Sequence, residues 1–443
     1  MAVKTDLRKD CFMKNKTKNK LHWVRLDNAA KIYPAARRKN WSNVYRQSAT
    51  LYEEVDKDVL KDALEVVVKR FPSIAARLRK GAFWYYLQQV EKAPEIKEEY
   101  SYPLIFMSND EMRQCAFRVI VYKNRIAVEF FHSLTDGTGA LIFLKNLVAE
   151  YLERKHGIKI PFEHGIIDRT EDPKEEELED SFLKNSGKVP ASRKDTDAWR
   201  MEGEIPKDGF LNLTCFKIPV KEALEMAHKY DSTLTVFINA VMLTALYNLQ
   251  NEKVPSVRRR KRVKVLIPIN LRNIFPSKTL RNFAMYTIPE LDPRLGEYTF
   301  DEICKIIKHK MGTEFTAKYM SSVIATNVND EKNTLLRLVP LPIKNLIMKA
   351  VFDTVGERKC CLSLSNIGQI KIPEIMGEYI QRFDFILGAQ ADAPYNCGML
   401  SYGDTIYINF IRKIKEAGLE MQFFKVLQEL GIPVTVESNR NER

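Results

Sequence analysis

An α/β protein of two similar lobes, each a mixed β-sheet flanked by helices, is the fold the sequence predicts. Three observations carry that expectation. The chain has 443 residues, more than one ordinary hydrophobic core organises. Segments with strand character alternate with segments of helical periodicity in both halves. Between the halves runs a polar stretch, residues 166–205, acidic at first and then punctuated by Gly187, Pro190 and Ser192.

Residues 1–20 carry seven Lys or Arg against two Asp and almost no apolar periodicity, so a disordered basic arm is expected, with order beginning near Trp23. The first lobe is assigned to residues 21–165. Val59, Ala63, Val66 and Val67 fall at helical spacing and predict a helix that stops at Phe71-Pro72. Residues 83–90 and 115–122 are rich in aromatic or β-branched side chains and read as strands, and 125–132 is the clearest strand of all. Leu141, Leu144, Val148 and Tyr151 then recur at spacings of three and four, the stripe of a helix packed on a core. Beyond the 166–205 crossover, the second lobe, residues 206–435, repeats the alternation. It begins with helices near 221–230 and 235–251, a strand at 263–269 and helices at 299–319 and 333–352. Strands at 361–365, 380–387, 399–401 and 405–411 and a last helix at 418–430 complete it. A polar tail, 436–443, closes the chain.

Composition narrows the function classes. Hydrophobic residues make up 45% and charged residues 29%, the balance of a soluble globular protein. No apolar run reaches the roughly 20 residues that a bilayer span needs, and the opening lacks the apolar core of a secretory signal; no membrane span and a cytoplasmic location are expected. The 7 Cys are odd in number and never spaced as Cys-x-x-Cys, which predicts buried thiols and no metal site. A formal net charge of +13 suits a polyanionic partner such as coenzyme A, an acidic carrier protein, nucleic acid or an anionic membrane surface. No zinc-finger spacing or RNA-binding motif accompanies the charge, so nucleic acid is not expected. Gly-x-Ser-x-Gly, Walker-type and His-Glu-x-x-His motifs are all missing, which leaves serine hydrolase, nucleotide hydrolase and zincin chemistry without support. A monomer is expected.

Along residues 125–132, period-two alternation puts Ile126, Val128, Phe130 and His132 on one face and Ala127, Glu129 and Phe131 on the other, so His132 ends an inward-facing row. A neutral imidazole, with an ordinary pKa near about 6.5, can accept a proton from a hydroxyl at neutral pH. Four residues on, Asp136 precedes Gly137. The carboxylate can anchor the turn through hydrogen bonds or an ion pair, and glycine admits a backbone conformation other residues resist. A lone histidine before a turn is as readily a satisfied core residue. The inward face, the Asp-Gly at fixed spacing and the helix directly behind favour a functional one. A His-x-x-x-Asp-Gly hexapeptide arises by chance on the order of once in a hundred chains of this size.

His132-Ser-Leu-Thr-Asp136-Gly137 resembles the His-x-x-x-Asp-Gly signature of the chloramphenicol acetyltransferase-like (CAT-like), coenzyme A-dependent acyltransferase superfamily, which includes condensation domains and alcohol acetyltransferases. Pro268-Ile-Asn-Leu-Arg272, followed by Leu280-Arg-Asn-Phe283, resembles a second-lobe segment of those enzymes, and Leu364-Ser-Asn-Ile-Gly368 their later strand. The opening Trp23-Val-Arg-Leu-Asp-Asn-Ala-Ala-Lys-Ile-Tyr-Pro34 is similar to the start of the alcohol acetyltransferase branch. The resemblance implies two CAT-like lobes with a tunnel at their interface, His132 as general base, and Asp136 paired with a second-lobe arginine, for which Arg272 is the choice. It further implies direct acyl transfer from acyl-coenzyme A, a co-substrate rather than a permanently bound cofactor, to the hydroxyl of a small alcohol. Transfer from a carrier-protein thioester to an amine, or a catalytically silent binding module, are the alternatives. Ser365 or Asn366 would supply a donor to the developing oxyanion. Two departures stand out. Phe131 occupies the place where many members carry a second histidine, on the face turned away from the site. Phe383-Asp-Phe385 and Leu387-Gly-Ala389 only loosely fill the region of the family's Asp-Phe-Gly-Trp-Gly segment, so no coenzyme A-binding residues are carried over.

Six of the seven residues 258–264 are basic. A solvated loop is expected there, with a landing site for coenzyme A phosphates or an acidic carrier as the functional alternative.

Overall fold

A computed structural model describes residues 23–38, 43–190, 196–332, 338–352, 357–390 and 393–440. The expected basic arm, residues 1–20, lies outside the described residues. The expected two-lobed mixed α/β architecture is present, built on three sheets.

The first lobe centres on the strand Arg125–Phe131, which lies inside a five-stranded sheet ordered Ile380–Ile386, Val44–Leu51, Arg125–Phe131, Phe117–Tyr122, Lys97–Glu98. Two helices cover it. Asp56 caps the first, Lys57–Arg70, by accepting from the amides of Asp58 and Val59. The second, Gly137–His156, ends on Gly157, whose left-handed φ of 66° suits a residue without a side chain. The two helices pack on each other and bury Leu64 and Val67 on one, Leu144 and Leu147 on the other. A small antiparallel sheet of Trp23–Arg25, Tyr85–Gln89 and Ala76–Lys80 flanks this lobe.

The second lobe holds a mixed eight-stranded sheet ordered Ala284–Thr287, Val263–Asn270, Leu362–Gln369, Tyr395–Tyr402, Thr405–Arg412, Asn212–Pro219, Thr435–Ser438, with Glu290–Leu291 added to Val263–Asn270. The pairings of Leu362–Gln369 with both of its neighbours are parallel. Helix Leu234–Lys253 packs on Val263–Asn270 and against helices Phe300–Glu314 and Gly418–Glu429. Its sequence is apolar nearly all round, and Phe237, Ile238, Val241, Met242 and Leu246 are fully enclosed. Among the described residues no single helix is long and apolar enough to cross a membrane.

Several assignments change. The strand expected at 380–387 in the second lobe is instead the edge of the first lobe's sheet, with Asp384 opposite Ser48, and its Phe383 and Phe385 enter the first lobe's core. Alternation identifies a strand but carries no information about a partner more than three hundred residues away. The polar tail begins as a strand: Thr435–Ser438 pairs with Asn212–Pro219, and Glu437 forms ion pairs with Lys217 and Arg382. All four residues are exposed, which is why no alternation marked them. The crossover is no free linker either. Leu178, Phe182, Ala198 and Trp199 are buried, and Glu177 takes both ends of the Arg70 guanidinium at 2.6 and 2.8 Å. The helix expected at 299–319 breaks at Phe315 into Phe300–Glu314 and Ala317–Lys332. Of the helix expected at 333–352, residues 333–337 lie outside the described residues and Leu341–Val351 starts just after Pro340.

Candidate active site

The strand carrying His132 ends at Phe131, and the His132 amide donates to the Asn43 carbonyl at 2.9 Å, which starts the turn into the helix. Phe130, Phe131, Ser133 and Leu134 are fully enclosed, whereas His132 keeps partial exposure. Its ring lies between two tyrosines. Tyr33 stacks on it at 4.4 Å with an interplanar angle of 17°, and Tyr45 meets it edge-on at 5.0 Å. The Tyr45 hydroxyl donates to the carbonyls of Thr135 and Asp136 at 2.9 and 3.0 Å, so the same side chain walls the imidazole and holds the turn.

The imidazole is fixed by an amide. His132 Nδ1 lies 3.1 Å from Asn282 Oδ1, and Asn282 Nδ2 lies 3.3 Å from Asp27 Oδ2. A carboxylate oxygen only accepts, so the Asn282 nitrogen faces Asp27 and its oxygen faces the ring. An amide oxygen also only accepts, which places the imidazole proton on Nδ1 and leaves the lone pair on Nε2. Nε2 has no hydrogen-bond partner among the described residues. Burial pushes the imidazole below its ordinary pKa range, against the opposing pull of its own carbonyl, Asp136 and Asn282, so the ring is neutral at neutral pH. Asp27 is itself enclosed; its Oδ1 accepts from the Ala30 amide at 2.7 Å, its Oδ2 lies 3.7 Å from Arg281 Nε, and burial raises its pKa despite that arginine.

Asp136 does a different job. Its Oδ1 accepts from the amides of Thr138 and Gly139, both at 3.1 Å, and so caps helix Gly137–His156. Its Oδ2 crosses to the second lobe, accepting from Arg272 Nη1 at 2.7 Å and from the Phe283 amide at 2.8 Å. Arg272 also donates to the carbonyls of Thr279 and Arg281. The Asp136–Arg272 pair expected from the two motifs therefore ties the His132 turn to the second lobe. Thr135 Oγ1 adds a bond to the Leu280 carbonyl at 2.6 Å, and Asn270 Nδ2 one to Thr138 Oγ1 at 3.1 Å.

The remaining expectations divide. Gly137 does not adopt a left-handed backbone, and a Cβ there would meet Ile367 and Phe385 at ordinary contact distances of 3.5 and 3.6 Å. The glycine required by close approach is Gly139, whose Cβ would fall 2.1 Å from Thr135 Oγ1 and 2.3 Å from the Leu280 carbonyl. Asn366 turns to the helix Leu234–Lys253, donating to Thr235 Oγ1 at 3.1 Å, while its oxygen accepts from the Gly368 amide at 2.8 Å. Ile367 lies on the side of the Gly137 turn, where the strand pairing is interrupted by a register shift between Asn366 and Gln369. In the basic run, Arg262 and Lys264 are engaged with Glu290, and Arg260 with the Val254 carbonyl, so half of its cations are bound within the lobe while Arg258, Arg259 and Lys261 are exposed.

Asn282, Asp27, Tyr33 and Tyr45 were not singled out from the sequence. Asp27 and Tyr33 had no signal beyond their place in the segment Trp23 to Pro34, and Asn282 none beyond its place in Leu280-Arg-Asn-Phe283. The face of Arg125–Phe131 opposite His132 also holds a surprise, because Glu129 is fully buried between Arg46 and Arg118. Burial alone would raise its carboxyl; the two guanidiniums outweigh it and hold the group below the usual range.

No protein-family model and no curated protein matches the sequence. Solved structures do match the fold. One is a trichothecene 15-O-acetyltransferase from Fusarium sporotrichioides, at a TM-score of 0.61 and 11% identity, covering 94% of this chain and 96% of that one. The first condensation domain of the CDA synthetase follows at a TM-score of 0.57 and 12% identity, covering 92% and 95%. A wax ester synthase/diacylglycerol acyltransferase from Marinobacter aquaeolei matches at 0.55 and 13%, covering 92% of this chain and all 100% of that one. The chain therefore has the two-lobed fold of the CAT-like acyltransferases and condensation domains.

Proposed function

We propose that the chain is an acyltransferase that moves an acyl group from acyl-coenzyme A to the hydroxyl of an alcohol, with His132 as the general base. The observation that carries this reading is the imidazole itself: proton fixed on Nδ1 by Asn282, lone pair free on Nε2, pKa lowered by burial, at the seam of the lobes. Names among the structural matches, an O-acetyltransferase and a wax ester synthase, favour a hydroxyl acceptor.

In the proposed step, Nε2 takes the hydroxyl proton as the alcohol oxygen attacks the thioester carbonyl carbon. The tetrahedral oxyanion collapses, the carbon–sulfur bond breaks, and the leaving thiolate recovers the proton from the imidazolium, giving ester and free coenzyme A. A thioester is already activated, so alignment, one base and one oxyanion donor suffice. Ser365 is the better of the two expected oxyanion donors, because the Asn366 amide is held by Thr235 and Gly368. Asp136 and Arg272 hold the turn and touch no substrate.

The test is thiol release from acetyl- and longer acyl-coenzyme A with panels of alcohols and amines, beside His132→Ala. Thiol release that needs an alcohol and His132 is the expected result. Full rate in His132→Ala, or donor binding with no turnover across the panel, overturns the proposal. Amines used faster than alcohols would move it to condensation-type transfer.

A further inference from the structure

The walls of a cavity of about 750 Å³, lying against helix Ile32–Ala36 and the strands Ala76–Lys80 and Tyr85–Gln89, carry five cationic side chains: Arg37, Arg38, Arg79, Lys80 and Arg113. Among the described residues no carboxylate lines it. The acids nearest in sequence lie close by without lining it: Glu111 pairs with Lys97 and Arg118 and acts on Arg37 through space, and Asp110 forms an exposed ion pair with Arg113. Cationic side chains gathered around one concavity repel each other, and a ligand bearing several phosphoryl oxygens would relieve that repulsion through charge-assisted hydrogen bonds. Arg37 is already positioned for such a role. It donates to the Met107 carbonyl and to Asn109, its guanidinium sits 4.5 Å from the Phe106 ring, and its Nε is buried without an acceptor.

Tyr85, Tyr86 and Phe106 add flat apolar faces to the same walls. Trp23 stacks on Tyr86 at 4.5 Å and 8°, which stiffens that ring. The volume falls within the roughly 300–1,000 Å³ of small-molecule sites. We propose that this cavity is a binding site for a phosphorylated ligand of nucleotide size, its phosphates held by the arginines and Lys80 and its ring laid on the tyrosines. The phosphates could belong to coenzyme A or to a free nucleotide. The site uses none of His132, Asp136 or Asn282; its coenzyme A source rests on the acyl-transfer reading and its free-nucleotide source does not, and Pro34 in its wall adjoins Tyr33, the residue stacked on His132. Contiguous sequence does not mark it: the five cations come from three separate segments, whereas the one dense basic run, 258–264, lies in the other lobe with half of its cations engaged there.

Calorimetric titration of the full chain with coenzyme A, adenosine 3′,5′-bisphosphate and ATP tests the proposal. Binding that weakens several-fold as salt is raised, and by about tenfold or more in Lys80→Glu/Arg113→Glu with an unchanged melting temperature, is expected. The neutral pair Lys80→Gln/Arg113→Gln serves if charge reversal unfolds the chain. Coenzyme A and the bisphosphate binding well above ATP identifies the donor's nucleotide end; equal binding of all three identifies a free nucleotide. Either supports the site. No binding of any probe, or affinities unchanged in both variant pairs, overturns it. Binding by a chain that shows no thiol release with any acceptor would leave this site standing while removing the acyl-transfer reading.

Discussion

Asn282 of the second lobe accepts from Nδ1 of His132 of the first across 3.1 Å, 150 residues away in sequence, and is itself oriented by Asp27. Amide and imidazole thus make one unit whose geometry decides which ring nitrogen is basic. Asn282→Asp replaces the amide oxygen with a carboxylate that stabilises the imidazolium, so the acid limb of the kcat/KM–pH profile should move to higher pH. Asn282→Ala should lower kcat with little change in KM for the donor, because the proton position is lost and binding is not. An unshifted profile in Asn282→Asp would reduce the contact to packing.

The imidazole is held below its ordinary pKa by burial, which fixes the sign of two pH effects. Activity should rise with pH along a limb whose midpoint lies below the unperturbed value of about 6.5 and stay level from about pH 7 upward. Stability should move the same way. Below that value the unfolded chain binds the proton that the buried ring resists, so the fold loses stability as pH falls. His132→Gln should abolish the activity limb and flatten that part of the stability–pH curve, measured by urea midpoint at several pH values. His132→Ala should fold and lose about 10²- to 10⁴-fold in turnover, the usual range for a general base.

Asp136 accepts four hydrogen bonds, two from the helix start it caps and two from the second lobe. Removing it strands a nearly buried guanidinium. Asp136→Ala should therefore cost about 3–5 kcal/mol by denaturant unfolding, and Asp136→Asn less, since the amide keeps the cap and loses the ion pair. Arg272→Lys should not rescue: a lysine cannot reproduce the planar fork that bonds Asp136 and the carbonyls of Thr279 and Arg281 together. A wild-type urea midpoint in Asp136→Ala would show that the turn is held by other means.

Residue patterns made much of this legible and fixed where legibility stopped. The strand 125–132, the helix behind it and the His132, Asp136 and Arg272 motifs could be read because each lies in a short window with strong periodicity or spacing. The strand Ile380–Ile386 could be read as a strand and not as a member of the first sheet, because its hydrogen-bond partner is chosen by tertiary packing. Glu129 looked like the outward member of an alternating strand, and only the approach of Arg46 and Arg118 makes its burial tolerable. Asn282 and Asp27 act through a chain of contacts between segments 255 residues apart, which one-dimensional spacing does not encode.

The two glycines of Gly137-Thr-Gly139 should respond in opposite ways to the same substitution. A methyl group on Gly139 would fall 2.3 Å from the Leu280 carbonyl, a backbone atom that cannot swing aside, and 2.1 Å from Thr135 Oγ1, which is itself bonded to that carbonyl. Relief requires the Thr135–Leu280 bond to break and the lobes to separate at the turn. Gly139→Ala should therefore destabilise by at least about 1–3 kcal/mol, the usual cost of overpacking, and lower turnover with it. Gly137→Ala places its methyl 3.5 Å from Ile367 on a helical residue with no left-handed strain, where alanine has the higher helix propensity. Its urea midpoint should match or exceed that of wild type. Should Gly137→Ala nonetheless lose turnover while keeping that midpoint, the space beside Gly137 is occupied by substrate and not by the fold.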